Sequence, residues 1–189
     1  MSTGDNPFSP DRLARLEFRL PAGVSWEGLI ARCVETGYCC AIVGPAGSGK
    51  STLLAQLAPY LVALGFNPRF FHLNAESRRV ERESLLAEAR GMRAPDFLLL
   101  DGAEQLQTRE WLSLRSAIDG LAGCIITLHR TGRLPTLVET STTPALIEDL
   151  VTELTGGRLP AGEAVAIHAR HHGDLRKCFR ELHNRWDGG

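Results

Sequence analysis

The sequence predicts an α/β fold: a three-layer sandwich of helices around a mostly parallel five-stranded sheet, with a small C-terminal helical lid. Three observations carry this. Short apolar runs at residues 38–43, 97–100 and 123–128 have the length and two-sided hydrophobicity of strands buried in a parallel sheet. Segments with apolar residues at helical spacing alternate with these runs, as the crossovers between parallel strands require. The first run also leads straight into Gly44-Pro45-Ala46-Gly47-Ser48-Gly49-Lys50-Ser51-Thr52, a glycine-rich loop with a strand before it and a helix after it.

Taken in order, the first ten residues, with Gly4, Pro7 and Pro10, read as a mobile arm whose one large apolar group is Phe8. Alternation of Leu16, Phe18 and Leu20 with Glu17 and Arg19 predicts a half-exposed strand ended by Pro21 and Gly23. Ser25 caps a helix over 26–36, with Trp26, Leu29, Ile30, Cys33 and Val34 on one face. Residues 1–37 thus form a preface to a core over 38–142. Within that core, Leu53, Leu54, Leu57 and Leu61 mark a helix over 51–64 with Gly65 as its C-cap. Arg69-Phe70-Phe71-His72-Leu73 reads as a strand, and residues from Asn74 to about 90 turn into a charged helix ended by Gly91 and Pro95. The run 97–101 is a buried strand; Thr108 caps a helix over 108–121; 123–128 is a fourth strand and 133–138 feeds a fifth. Residues 143–189 form the C-terminal helical region. Thr143-Pro144 opens its first helix by a cap followed by proline at the first helical position, Gly156-Gly157 breaks it, and helices over 161–171 and 174–186 follow.

The glycine-rich loop matches G-x-x-x-x-G-K-[ST], the Walker A pattern, in its confirming strand-to-helix context. Its glycines let successive backbone N–H groups face inward, and the helix N-terminus adds partial positive charge. Residues 44–49 can therefore cradle a polyphosphate largely without side chains. Lys50 supplies a full charge to the outer phosphates, Ser51 a hydroxyl ligand for a phosphate-bound Mg²⁺, and Thr52 a contact to an inner phosphate. The strand Phe97-Leu98-Leu99-Leu100 ends in Asp101, at the edge where open α/β sheets carry ligand-binding groups, and has the form of a Walker B strand with Asp101 near Mg²⁺. The next residues are Gly102, Ala103, Glu104 and Gln105. In the hydrolytic P-loop ATPases that this pattern resembles, a glutamate usually follows the aspartate to polarise the attacking water, and here that position is a glycine. Glu104, the next carboxylate, is the candidate general base.

A net charge of −1 gives no electrostatic footprint for nucleic acid, and an apolar fraction of 43% suits a full core. The five cysteines, at 33, 39, 40, 124 and 178, lack C-x-x-C spacing and fall mostly inside apolar runs, which reads as buried thiols in a reducing compartment. No apolar run approaches the roughly twenty residues of a membrane span. The expectation is a soluble cytoplasmic protein. His168, His171 and His172 have helical spacing, but Gly173 interrupts the helix there and a zinc site needs further ligands.

With its Walker A loop, apolar strand ending in Asp101 and following strand ending in polar residues, the chain resembles the AAA+ and related additional-strand P-loop ATPases. That resemblance implies a P-loop NTPase core with strand order 5-1-4-3-2. It also implies a γ-phosphate-monitoring residue at the end of the fourth strand, where Thr127 fits best and His129 is its rival. The junction His172-Gly173-Asp174-Leu175-Arg176 is similar to the start of the family's sensor 2 helix, which assigns Arg176 to the phosphates. In such ATPases the N-terminal segment packs near the base, making Phe8 or Trp26 a stacking candidate. The departures are the missing glutamate after Asp101, a smaller helical lid, and an oligomer arginine finger represented only by position, by Arg130 or Arg133. The implied function is an ATP-binding, slowly hydrolysing AAA+-like ATPase, with Lys50, Glu104, Thr127 and Arg176 as catalytic residues and ATP and Mg²⁺ as cofactors. Its nucleotide state would be coupled to a protein partner, and it could form a homo-oligomer. A small-molecule or nucleotide kinase, with Arg130, Arg133 and Arg176 as phosphate clamps, and a non-hydrolysing nucleotide-dependent module are the alternatives.

Overall fold

The computed structural model describes residues 6–188. Its elements are α1 (Pro10–Leu13), α2 (Trp26–Glu35), β1 (Cys39–Val43), α3 (Lys50–Ala63), β2 (Asn67–His72), α4 (Arg79–Gly91), β3 (Asp96–Asp101), α5 (Thr108–Ile118), β4 (Gly123–Leu128), β5 (Thr136–Glu139), α6 (Pro144–Thr155), α7 (Glu163–Arg170) and α8 (Leu175–Asp187), with a 3-10 turn at Ala103–Gln105. The chain divides into two compact units. One comprises Arg19–Gly44 and Lys50–Thr140; the other comprises the chain up to Phe18, the loop Pro45–Gly49, and the chain from Ser141 onward.

The first unit holds the sheet. All its pairings are parallel, in the order β2-β3-β4-β1-β5, which is the predicted 5-1-4-3-2 read from the other edge. β3 and β4 are the most apolar stretches, and both lie in the sheet interior. Phe97, Leu98, Leu99 and Leu100 are fully buried, and each such side chain contributes about 1.5–3 kcal/mol relative to exposure. Side chains alternate across the sheet. Ala41, Val43, Leu98, Leu100, Cys124 and Ile126 pack with Leu85, Leu86 and Ala89 of α4 and Leu114 and Ile118 of α5. α3 packs against β1, β3 and β4, and α2 against β5. The edge strand β2 is mostly exposed, so its two phenylalanines do not produce a strand buried on both faces.

The second unit has its own core. Ile147, Leu150 and Val151 of α6, Ala164 and Ile167 of α7, and Cys178, Phe179 and Leu182 of α8 enclose Phe8. Phe8 is 4% exposed and lies against Phe179 and Trp186, each at a ring-centroid distance of 6.2 Å. The expected mobile arm is corrected accordingly: Gly4 lies outside the described residues, but residues 6–13 form a turn and a one-turn helix around this buried ring. Nor is there a strand at Leu16–Phe18–Leu20, where the backbone is irregular. A period-two pattern needs a neighbouring strand to become a strand, and both sheet edges are β2 and β5.

Helix ends follow local chemistry. Ser25 accepts from Gly28 N–H and Thr143 from Leu146 N–H, as expected of caps. At α5 the cap is Gln107, whose backbone N–H donates to Glu110; Thr108 is the first helical residue. All five cysteines are free thiols, with Cys39 half-buried and the rest buried. Cys33 and Cys40 Sγ lie 3.8 Å apart, well beyond the roughly 2.05 Å of a disulfide. Among the described residues no helix is long and apolar enough to cross a membrane.

Candidate nucleotide site

β1 is an interior strand between β4 and β5, so its C-terminal end opens within the sheet edge. Gly44 N–H donates to Leu128 O, extending the β1–β4 pairing by one residue before the chain leaves the sheet. Lys50 begins α3; its side chain is buried and its Nζ donates to Gly44 O at 2.8 Å. The ammonium is thereby held at the carbonyl of the residue that follows β1.

The adjacent oxygen cluster joins three strands to α3. Ser51 Oγ donates to Asp101 Oδ2 at 2.7 Å, and Thr127 Oγ1 donates to Asp101 Oδ1 at 2.7 Å. Thr127 Oγ1 in turn accepts from the Gly102 N–H at 2.8 Å, so this hydroxyl, 1% exposed, ties the end of β4 to the end of β3. His72, the last residue of β2, brings Nδ1 within 3.0 Å of Asp101 Oδ2. Burial pushes the Asp101 carboxyl up, but the hydrogen bonds from Thr127, Ser51 and His72 outweigh it and hold the group below the usual aspartate value. Asp101 is therefore ionised at neutral pH. A carboxylate beside a hydroxyl at a helix N-terminus is an all-oxygen donor pair, which fits the hard cation Mg²⁺ that the sequence implies.

His72 went unmarked in the sequence, although it satisfies the criterion that picked out Asp101 and Thr127: a polar residue at the C-terminal end of a strand. Its signal was hidden because β2 ends one residue earlier than the sequence predicted, at His72 and not Leu73.

Beyond Asp101 the chain turns sharply. Gly102 has φ +81°, and a Cβ placed there would lie 1.9 Å from the carbonyl oxygen of Leu73. Leu73 is held in position by its own N–H, which donates to Asp101 O at 2.8 Å. The position after Asp101 thus excludes every side chain, and the usual place for a water-polarising glutamate is closed by backbone. Glu104 sits on the following 3-10 turn. Its Oε1 is 3.2 Å from His129 Nε2, just past β4, and its Oε2 is buried with no hydrogen-bond donor among the described residues. Arg133 fixes this turn from the other side by donating to Ala103 O and, at 2.6 Å, to Leu106 O, while its guanidinium lies 5.1 Å over the Trp111 ring. Arg133 is therefore a clamp within the turn. Arg130 is exposed.

In the second unit, the loop Pro45–Gly49 meets the start of α8. Ser48 N–H and Oγ both bond to Pro45 O, closing the loop on itself. Leu175 N–H donates to Gly47 O at 3.2 Å, and a Cβ on Gly47, whose φ is +71°, would fall 2.1 Å from Asp174 Oδ1. Gly49, at φ +86°, has the Phe18 ring where a Cβ would be. Asp174 caps α8, accepting from Arg176 and Lys177 N–H groups. Arg176 is thus the second residue of α8, next to the Leu175 N–H that bonds the glycine-rich loop, with its side chain exposed. Pro45, Ala46 and Thr52 are exposed, while Gly44, Gly47 and Ser48 are buried.

The two base-stacking candidates are both engaged elsewhere. Phe8 is in the helical core, and Trp26 stacks on Tyr60 at 5.1 Å. The histidines of the C-terminal region are likewise structural: His168 Nε2 is 3.1 Å from Thr142 O and His171 pairs with Glu181, and no metal-binding cluster occurs among the described residues.

No family model and no curated protein matches the sequence. Solved structures do. The RuvB Holliday junction branch migration motor of Thermotoga maritima aligns over 94% of this chain and 63% of its own, at 18% identity and a TM-score of 0.53. A variant of the same Thermotoga maritima protein aligns over 84% of this chain and 61% of its own, at 17% identity and a TM-score of 0.53. The chain spans about three fifths of the length of these RuvB structures. At such identity the likeness concerns the fold alone, a parallel α/β fold similar to that of these RuvB structures.

Proposed function

We propose that the chain binds ATP with Mg²⁺ and hydrolyses it slowly, using its nucleotide state to control a protein partner. The observation that carries this reading is the 2.7 Å bond from Ser51 to Asp101. It joins the hydroxyl ending the Walker A motif to the carboxylate ending the Walker B strand, fifty positions apart in sequence, at the start of α3. Lys50 is assigned to the outer phosphates, the N–H groups of 44–49 to the phosphate oxygens, Thr52 to an inner phosphate, and Ser51 and Asp101 to the metal. When bound, Mg²⁺ would neutralise charge on the phosphates. Glu104 is the proposed base, Thr127 the residue that monitors the γ-phosphate, and Arg176 a phosphate contact. Slow turnover is supported by the closed position at Gly102, which leaves the base three residues from Asp101.

A kinase reading draws less support, because Arg133, one of its three phosphate clamps, is committed to two backbone carbonyls. The cytoplasm remains our proposed location, and assembly with further copies, as well as a partner protein, is proposed on the resemblance alone. The deciding experiment is product analysis with purified protein, ATP and Mg²⁺. Release of inorganic phosphate from ATP alone supports the ATPase. Transfer only with an added acceptor identifies a kinase, and tight binding without turnover identifies a nucleotide-dependent module.

A further inference from the structure

We propose that His129 is the positioning residue for Glu104, so that the two act as a couple replacing the carboxylate that the position after Asp101 cannot hold. The inference deepens the ATPase reading and rests on it.

Four observations converge on the pair. The Gly102 position is closed by the Leu73 carbonyl, so a base must come from further along the chain. Arg133 pins Ala103 and Leu106 by their carbonyls, which fixes the backbone on both sides of Glu104 and leaves only the side chain to be oriented. The ring nitrogen Nε2 of His129 meets one carboxylate oxygen at 3.2 Å. The other oxygen, Oε2, is shielded from solvent and has no hydrogen-bond donor among the described residues. A buried carboxylate oxygen lacking a donor is left with its hydrogen-bonding capacity unused.

The sheet order supplies the location. β4 lies between β3 and β1, so a residue just past β4 stands between the carboxylate end of β3 and the start of the glycine-rich loop. His129 is two residues beyond Thr127, whose hydroxyl already bonds Asp101 and Gly102. Thr127 thus fixes the metal-side carboxylate, and His129 fixes the base-side one.

In the step this geometry serves, Oε2 of Glu104 takes a proton from water while the water oxygen bonds to the γ-phosphorus. The bond from that phosphorus to the β,γ-bridging oxygen breaks, with its electron pair leaving on ADP. Inorganic phosphate departs, and Glu104 returns the proton to solvent. His129 donates Nε2–H to Oε1 throughout and does not exchange its proton with the substrate.

The pair itself contributes little to folding. The His129 side chain is 47% exposed and that of Glu104 23%, and solvent screens such partly exposed pairs. Replacing His129 therefore leaves a folded protein to measure. The experiment is phosphate release at saturating ATP with ATP affinity measured in parallel. His129→Ala should lower kcat by about tenfold or more with ATP affinity changed less than about twofold. His129→Gln, whose side-chain amide can donate to the same oxygen, should recover most of that loss. In a Glu104→Gln background, His129→Ala should add nothing further, because the two act as one unit.

Wild-type kcat in His129→Ala alongside a large loss in Glu104→Gln would overturn the couple and leave the ATPase reading standing. A His129→Gln variant as slow as His129→Ala, or additive losses in the double variant, would also overturn it. A wild-type protein that binds ATP and releases no phosphate at all would remove the ATPase reading and this couple with it.

Discussion

The glycine-rich loop and the end of β3, the two places proposed to hold charged oxygen atoms, are built by opposite means. Residues 44–49 rely on backbone, with Gly47 and Gly49 in left-handed conformations and neighbouring groups pressed where their side chains would be. The end of β3 relies on side chains drawn from β2, β4 and α3 onto one carboxylate. A backbone device must be contiguous in sequence, so it is written as a motif. A side-chain device is assembled by topology, so it is dispersed along the chain. At Gly102 the two devices meet, since a backbone constraint there dictates which side chains can serve.

The sharpest way to break this contrast is at that meeting point. Gly102→Glu, which by sequence logic alone would restore a missing base and raise turnover, should instead destabilise the protein by about 3 kcal/mol or more. The cause is a Cβ forced to 1.9 Å from a backbone oxygen at a positive φ. Chemical denaturation would register it, and a stable, faster Gly102→Glu enzyme would show that β2 yields where the structure holds it firm. Lys50→Ala tests the backbone device. The loop should fold without the ammonium, while ATP affinity falls by about two orders of magnitude, as expected for loss of a charge-assisted contact of up to about 3 kcal/mol. Titration with ATP and a thermal melt together separate these effects.

Thr127→Val tests the side-chain device. It leaves Asp101 Oδ1 and the Gly102 N–H without their shared hydroxyl, and should cost about 2 kcal/mol of stability. Thr127→Ser should restore most of it in the same denaturation assay. The smallest effect is expected from Asp101→Asn, which keeps shape and removes charge. It should reduce the Mg²⁺-dependent gain in ATP affinity by about tenfold, roughly 1.4 kcal/mol, and leave Mg²⁺-free binding nearly intact. Equal losses with and without Mg²⁺ would reassign Asp101 to a purely structural role.

The same contrast explains what the sequence made legible. Strand order came only from the family resemblance, whereas the helix after the glycine-rich loop and the buried strand ending in Asp101 were readable, because apolar runs and glycine spacing are local signals. The cap of α6 was readable for the same reason. His72 was not, since nothing in the sequence says that the end of β2 lies beside Asp101 until the strands are paired. Arg133 was misread as a phosphate-facing group, because an arginine after a strand gives no sign that two carbonyls and a tryptophan ring will occupy it. The alternation at Leu16, Phe18 and Leu20 was misleading because period-two hydrophobicity records alternate burial, and that can arise without a strand. Phe8 was misjudged for a related reason: a lone aromatic among prolines and glycines looks mobile until the helices that enclose it, from the far end of the chain, are in place.

The contact between Leu73 and Gly102 also bears on how this site can change over time. Residue 102 is confined to glycine by the chain just past β2, so a carboxylate cannot be placed there by one substitution. Placing one would need the chain after β2 to be rerouted first, at the cost of the Leu73–Asp101 bond. Variants that alter catalysis should therefore arise at 104 and 129, where side chains can be exchanged without moving any backbone, while 102 stays silent as a lineage diverges.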